Sequence, residues 1–285
     1  MSGGERLSAA EKRQRYRRIL GGELTIKPAS VFDPLSALAA EDLGYECGVL
    51  GGSIASLAVL GAPDIALLTL SEFVEQVRRI CRAGNLPLMV DADHGYGNAL
   101  NVRRTVEDLE AAGVAALSIE DTVMPDAFGS TAAQLVSPQE AAGKLRAALQ
   151  ARIDPGLAIL GRTNARLATG KDLLERQQRY QDTGIDALFV VGVRTLEQLE
   201  PLAAAATVPL VLGAPMPGID AATLASFKVR VCLQGHKAFF KAAQLIYDQL
   251  AAARGMPASE VDADVLVKRL SGDAQYEQWS KDFLQ

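Results

Sequence analysis

Short, uninterrupted apolar runs recur along this chain, each followed by a longer stretch whose charges fall at helical spacing. The runs occupy 29–32, 47–50, 87–90, 115–119, 157–160, 187–191, 208–212 and 229–233. They do not alternate apolar with polar, which is the pattern of strands buried on both faces of a parallel sheet. Intervening segments such as 100–112, 138–151 and 171–183 end near a glycine, as at Gly113 and Gly184. Eight β units, each followed by an α unit, predict an α/β fold of the (β/α)8 TIM-barrel type. An open doubly wound sheet would share the alternation, but no GxGxxG fingerprint follows the first run. The expected organisation is a single barrel domain over 1–285, with an N-terminal helix in 1–22 and a C-terminal helical tail in 256–285.

Composition narrows the function classes. A chain of 285 residues, 49% hydrophobic and 22% charged, can bury a large core. Its net charge of -5 and lack of a basic stripe argue against a nucleic-acid partner. Cys47, Cys81 and Cys232 are too few and too scattered for a disulfide framework or a zinc spacing, and suit a reducing compartment. The first twenty residues lack the apolar centre of a signal peptide. The uncharged stretch 48–63 is shorter than the roughly 20 residues of a spanning helix. A second, 201–219, is broken by Pro209, Pro215 and Pro217. The expectation is a cytoplasmic protein with no membrane partner. Ser8 and Glu11 form a capping-box pattern ahead of Lys12, Arg13, Arg15, Arg17 and Arg18, and Gly21-Gly22 ends the segment. This predicts a solvated helix covering one end of the fold. A phosphate- or membrane-binding arm is the other reading of the same charges.

The active face of such a barrel lies at the C-terminal ends of its strands. Polar residues gather there: Asp33 after the first run, Gly51-Gly52-Ser53 after the second, Asp91 to Asn98 after the third and Glu120-Asp121 after the fourth. Arg162-Thr163-Asn164 comes after the fifth, and Gln234-Gly235-His236 after the eighth. Asp91 and Asp93 can place two carboxylates near one ion, and Glu120 can converge from the next strand. Oxygen ligands without Cys favour a hard cation, Mg2+ or Mn2+. Turn formation is the structural alternative for any single Asp. Arg162 offers a fork that matches a carboxylate, or else an ion pair with Glu120 or Asp121. Gly51-Gly52-Ser53 can form an anion-binding nest. His236 is read equally as a structural or a substrate-facing residue, and His94 as a residue that orients its loop.

Together, Gly51-Gly52-Ser53, the Gly61-Ala62-Pro63-Asp64 turn with Leu67-Leu68-Thr69, the loop from Asp91 to Asn98, Ile119-Glu120-Asp121 and Arg162-Thr163-Asn164 resemble the isocitrate lyase/phosphoenolpyruvate mutase superfamily. The match runs in order from about Ala29 to about His236. The resemblance implies a barrel whose last helix is swapped between subunits, in a homotetramer built as a dimer of dimers. It implies one Mg2+ ion holding a small 2-keto diacid. Asp91 would bind the ion directly, with Asp64, Asp93 and Glu120 binding it through water. Gly52, Ser53 and Arg162 would hold the substrate's 1-carboxylate.

The departures from the family pattern select a reaction. Carbon–carbon lyases of this superfamily carry a loop cysteine acid after the fourth strand, and the mutases and phosphonopyruvate hydrolases carry a Lys and an Asn there. The segment from Thr122 to Gly143 has none of these. Decarboxylation of a 2-keto diacid needs no loop acid, because water can protonate the enolate whose charge a Lewis acid stabilises. With His236 after the eighth strand, the chain is similar to the oxaloacetate decarboxylase branch, which implies His236 as a catalytic contact to the distal carboxylate, alongside Arg162. Oxaloacetate hydrolysis and methylisocitrate-type cleavage are the enzymatic alternatives. A metal-holding 2-keto acid binding protein is the non-enzymatic one.

Overall fold

Each apolar run becomes a strand, and each strand is followed by at least one helix. The computed structural model describes residues 5–130 and 132–285. Residues 1–4 of the expected N-terminal segment and Thr131 of the loop after the fourth strand lie outside them. The order is α1 (Ala9–Leu20), β1 (Ala29–Ser30), α2 (Pro34–Asp42), β2 (Gly48–Leu50), α3 (Gly52–Leu60), α4 (Leu70–Ala83), β3 (Leu88–Asp91), α5 (Ala99–Ala112), β4 (Ala116–Glu120) and α6 (Pro138–Ala151). It continues through β5 (Ala158–Asn164), α7 (Gly170–Gln181), β6 (Ala187–Val191), α8 (Leu196–Ala205), β7 (Leu210–Leu212), α9 (Ala221–Ser226) and β8 (Val229–Cys232) to α10 (Lys237–Ala253), α11 (Ala263–Leu270) and α12 (Asp273–Leu284). All eight strands are parallel and lie in sequence order. Ile26, just before β1, bridges to Val231 of β8 and brings the two edges of the sheet together.

The strands bury both faces, so two cores form. Leu88, Val90, Leu117, Ile119, Ile159 and Leu188 point outward onto apolar helix stripes such as Phe73, Val74, Val77 and Ile80 of α4. Val49, Met89, Ala116, Ala158, Leu160, Phe189, Val211 and Val231 fill the interior. Alternate residues therefore face the axis, as the strand repeat requires. The same alternation carries Asp91, Glu120 and Arg162 to the inner mouth and turns Asp121 outward.

Helix α1 differs from the solvated helix its charges suggest. Its capping box forms as expected. Yet Lys12 and Arg13 are buried, and Tyr16 is wholly enclosed among the inner residues Met89 and Ala116. Lys12 donates to the Cys81 and Gly84 carbonyls, and Arg13 to those of Glu110 and Val114. These carbonyls lie at the C-terminal ends of α4 and α5, where the helix dipole favours a cation. Arg17 donates to the carbonyls of Pro155, Gly156 and Leu157 and pairs with Asp186 at 2.6 Å. Lys12, Arg13 and Arg17 thus fasten the helix over the N-terminal end of the barrel, while Arg15 and Arg18 stay exposed.

The other end of the chain is two helices beyond the barrel, α11 and α12. Helix α10 packs principally on α11. Its Leu245, Ile246 and Leu250 are each more than 60% exposed, an unusual load of apolar surface for one helix. Among the described residues, no helix is long and apolar enough to cross a membrane.

Candidate active site

The mouth of the barrel holds a cavity of about 170 Å3. Ser53, Asp64, Asp91, Asp93, Glu120, Arg162 and His236 all line it, so seven of the residues singled out in the sequence come together. Gly52 lies just behind the wall. A Cβ at Gly52 would overlap the Asp93 carboxylate, so the backbone and Asp93 approach there as only glycine permits.

Arg162 organises the carboxylates. It stands beside Glu120 in the β4–β5 register. One guanidinium nitrogen pairs with Asp91 and the other reaches Glu120 at 2.9 Å. The expected pairing with Glu120 is present, and that with Asp121 is not. Ser118, buried within β4 and paired in register with Asp91 of β3, donates to Asp91 Oδ1 at 2.9 Å. Among the described residues, the Arg162 Nε–H is buried without a partner.

Four carboxylates share one guanidinium, and burial makes that imbalance costly. Burial raises the Asp64 carboxyl above its ordinary range, and Asp91 adds to the effect. Asp93 is pushed higher still by burial, then by Asp91, Asp64 and Glu120. Burial lifts Glu120 to about 7 against the opposing pull of Arg162. Burial lowers the Arg162 pKa, but Asp91 and Glu120 outweigh it and hold the guanidinium charged. Such a set is suited to a divalent cation, which would supply the missing positive charge. Among the described residues, no three Asp, Glu, His or Cys side chains stand close enough to chelate an ion together.

Helix α3 adds a second polar feature. Gly51 is its N-cap and offers no side-chain cap, so the first-turn N–H groups beside Ser53 remain available at the cavity. His236 lies beside this helix start. Its Nδ1 lies 2.7 Å from the Ser30 hydroxyl, and Nε2 lies against Gly51. Burial lowers the His236 pKa, with Asp91 opposing, so the ring is neutral near pH 7. Met124, Phe189, Val191 and Leu233 give the rest of the wall an apolar surface.

Several other strand-end polar residues serve structure. Asp33 caps α2 through Ser36. Asp121 accepts from Thr163, Arg176 and Tyr180 behind the sheet. Asn164 accepts from the Arg166 backbone, and Gln234 donates to the Cys232 carbonyl. Among the described residues, His94 Nδ1 is buried without a partner, and burial, followed by Lys144, lowers the His94 pKa to about 4. Sequence reasoning missed Ser118 and Ser30, because a lone serine inside an apolar run carries no motif.

Known proteins share this arrangement of the chain. A family described as "Phosphoenolpyruvate phosphomutase" matches residues 22–254. A protein of Rhodopseudomonas palustris (strain BisB18), named oxaloacetate decarboxylase, is 55% identical, with 86% of each chain covered. One of the same name from Pseudomonas aeruginosa (strain LESB58) is 49% identical over 98% of both chains. A solved phosphonopyruvate hydrolase in complex with oxalate and Mg2+ is 29% identical, with a TM-score of 0.75, covering 96% of this chain and 99% of that one.

The carboxylate set predicts a pH-dependent response to the ion. Glu120 binds its proton more tightly folded than unfolded, from an ordinary 4.5 to about 7. The metal-free fold therefore loses stability as pH rises through that window. Added Mg2+ should raise the melting temperature more at pH 8 than at pH 5. Equal shifts at both values, measured by scanning fluorimetry, would remove the cluster as its origin.

Proposed function

We infer that this chain, which belongs to the phosphoenolpyruvate mutase/isocitrate lyase family, is an oxaloacetate decarboxylase that converts oxaloacetate to pyruvate and CO2. One observation of the site carries the choice of reaction: the cavity lining combines the Arg162–carboxylate cluster with one histidine, His236, and among the described residues it includes neither a cysteine nor a lysine.

Asp91 would hold a Mg2+ ion directly, with Asp64, Asp93 and Glu120 holding its waters, and Mn2+ could take the same place. Bound there, the ion would supply Lewis-acid stabilisation to charge developing on the substrate's 2-keto oxygen. The α3 N–H groups, Ser53 and the unpaired Arg162 Nε–H would bind the 1-carboxylate. With that end anchored, the distal carboxylate would reach His236, near Val191 and Leu233 of the lining. An apolar wall solvates a carboxylate poorly and neutral CO2 well, which favours breaking the C3–C4 bond. The electron pair of that bond passes into the C2–C3 enolate, and a proton then adds at C3. Cys232 is buried away from the cavity lining, and no lysine lines it, so neither a thiol nor an ammonium acid is at hand. Water would provide that proton.

The exposed Leu245, Ile246 and Leu250 of α10 support a subunit contact through that helix. The reading is a homotetramer, a dimer of dimers with the last barrel helix exchanged. Sedimentation should give four chains per particle, and changing all three residues to Ser should lower that number. A wild-type monomer would contradict it.

The activity is tested with oxaloacetate and Mg2+ against a metal-only control, because free metal also decarboxylates this substrate. Pyruvate and CO2 should form well above the control, and Asp91→Ala should cost at least about a hundredfold in kcat/KM. Acetate and oxalate as products would assign a hydrolase instead. Binding without turnover would assign a binding protein.

A further inference from the structure

Ser30 sits at the end of β1, and no strand-end motif includes it. Barrel closure at Ile26 and Val231 brings β1 beside the exit of β8. Phe32 then meets Phe239 edge to face at 5.1 Å and ties the start of α10 to the end of β1. This fixes His236, the residue before α10, with Nδ1 2.7 Å from Ser30 Oγ. Gly51 admits the ring from the other side, since a Cβ there would stand 2.9 Å from Nε2. One imidazole nitrogen is thus committed to a serine, and the other lies against Gly51, which lines the cavity together with His236.

Hydrogen-bond accounting decides which nitrogen carries the proton. A neutral imidazole has one N–H and one bare nitrogen, and a serine hydroxyl has one hydrogen. Among the described residues, Ser30 Oγ makes no hydrogen bond except that to His236. If Nδ1 held the proton, the Ser30 hydrogen would have no protein acceptor among the described residues, and Nε2 would be left bare. If Ser30 donates to Nδ1, both groups are satisfied and the proton sits on Nε2, beside Gly51 in the cavity lining.

We propose that Ser30 is a positioning residue that holds His236 in the tautomer protonated at Nε2, so that the ring presents a donor to the distal carboxylate of the substrate. The second half rests on the reading of His236 as a substrate contact. The donor would orient the departing carboxylate against the apolar wall without placing a full positive charge beside it.

The chain has two histidines, His94 and His236, so the imidazole nitrogens of the intact 15N-histidine-labelled protein can be read directly by NMR. His236→Gln assigns the signals by loss. The proposal expects His236 protonated at Nε2 and bare at Nδ1 near neutral pH. Ser30→Ala should move both nitrogens towards tautomer-averaged positions, and Ser30→Thr, which keeps the hydroxyl, should restore them. Losing one hydrogen bond should lower kcat/KM about tenfold in Ser30→Ala. It should cost nothing further when His236 is already Gln. An unchanged melting shift with Mg2+ would show the carboxylate side intact. Protonation at Nδ1 in the wild type, or a Ser30→Ala spectrum identical to wild type, overturns the proposal. If the spectra behave as expected while Ser30→Ala and His236→Gln both keep wild-type kcat/KM, the tautomer lock stands and the substrate contact falls.

Discussion

The contact of Arg162 with Asp91 and Glu120 is the interaction on which the mouth of this barrel depends. One fixed cation holds carboxylates from two neighbouring strands at a common height. Without it, four buried acids would face one another, and burial would protonate some of them. With it, the cluster stays ordered while still short of positive charge. That residual imbalance is what a divalent ion bound at the mouth would offset.

The opposite end of the barrel solves a different charge problem by related means. There the cations of α1 are buried on helix carbonyl ends and on Asp154 and Asp186. Closing the lower end with a helix leaves the interior dry, and short strands then suffice to present the upper residues. The strand repeat does the rest. Asp91 faces inward because Met89 does, and Glu120 faces inward while its neighbour Asp121 turns out to Arg176 and Tyr180.

Much of this was legible in the chain. Eight apolar runs marked eight strands, and the polar residues at the end of each run placed Asp91, Glu120, Arg162 and His236 at the mouth. Direction stayed hidden. In a strand buried on both sides, Glu120 and Asp121 look alike, as do Arg162 and Thr163, because hydrophobicity does not report which face meets the axis. The buried role of Lys12 and Arg13 was hidden for a related reason. A cation run on a short helix looks solvated until helix C-termini stand opposite it. Ser30 and Ser118 were invisible because their role depends on a partner far off in sequence.

The account stands on the claim that the cluster around Arg162 binds one divalent ion together with an anion. Titration with Mn2+, followed by electron paramagnetic resonance with and without oxalate, tests this directly. The prediction is one ion per chain, bound more tightly in the presence of oxalate, with both effects abolished in Asp91→Asn. Mn2+ binding that is absent, or that is indifferent to oxalate and to the Asp91 substitution, would contradict it.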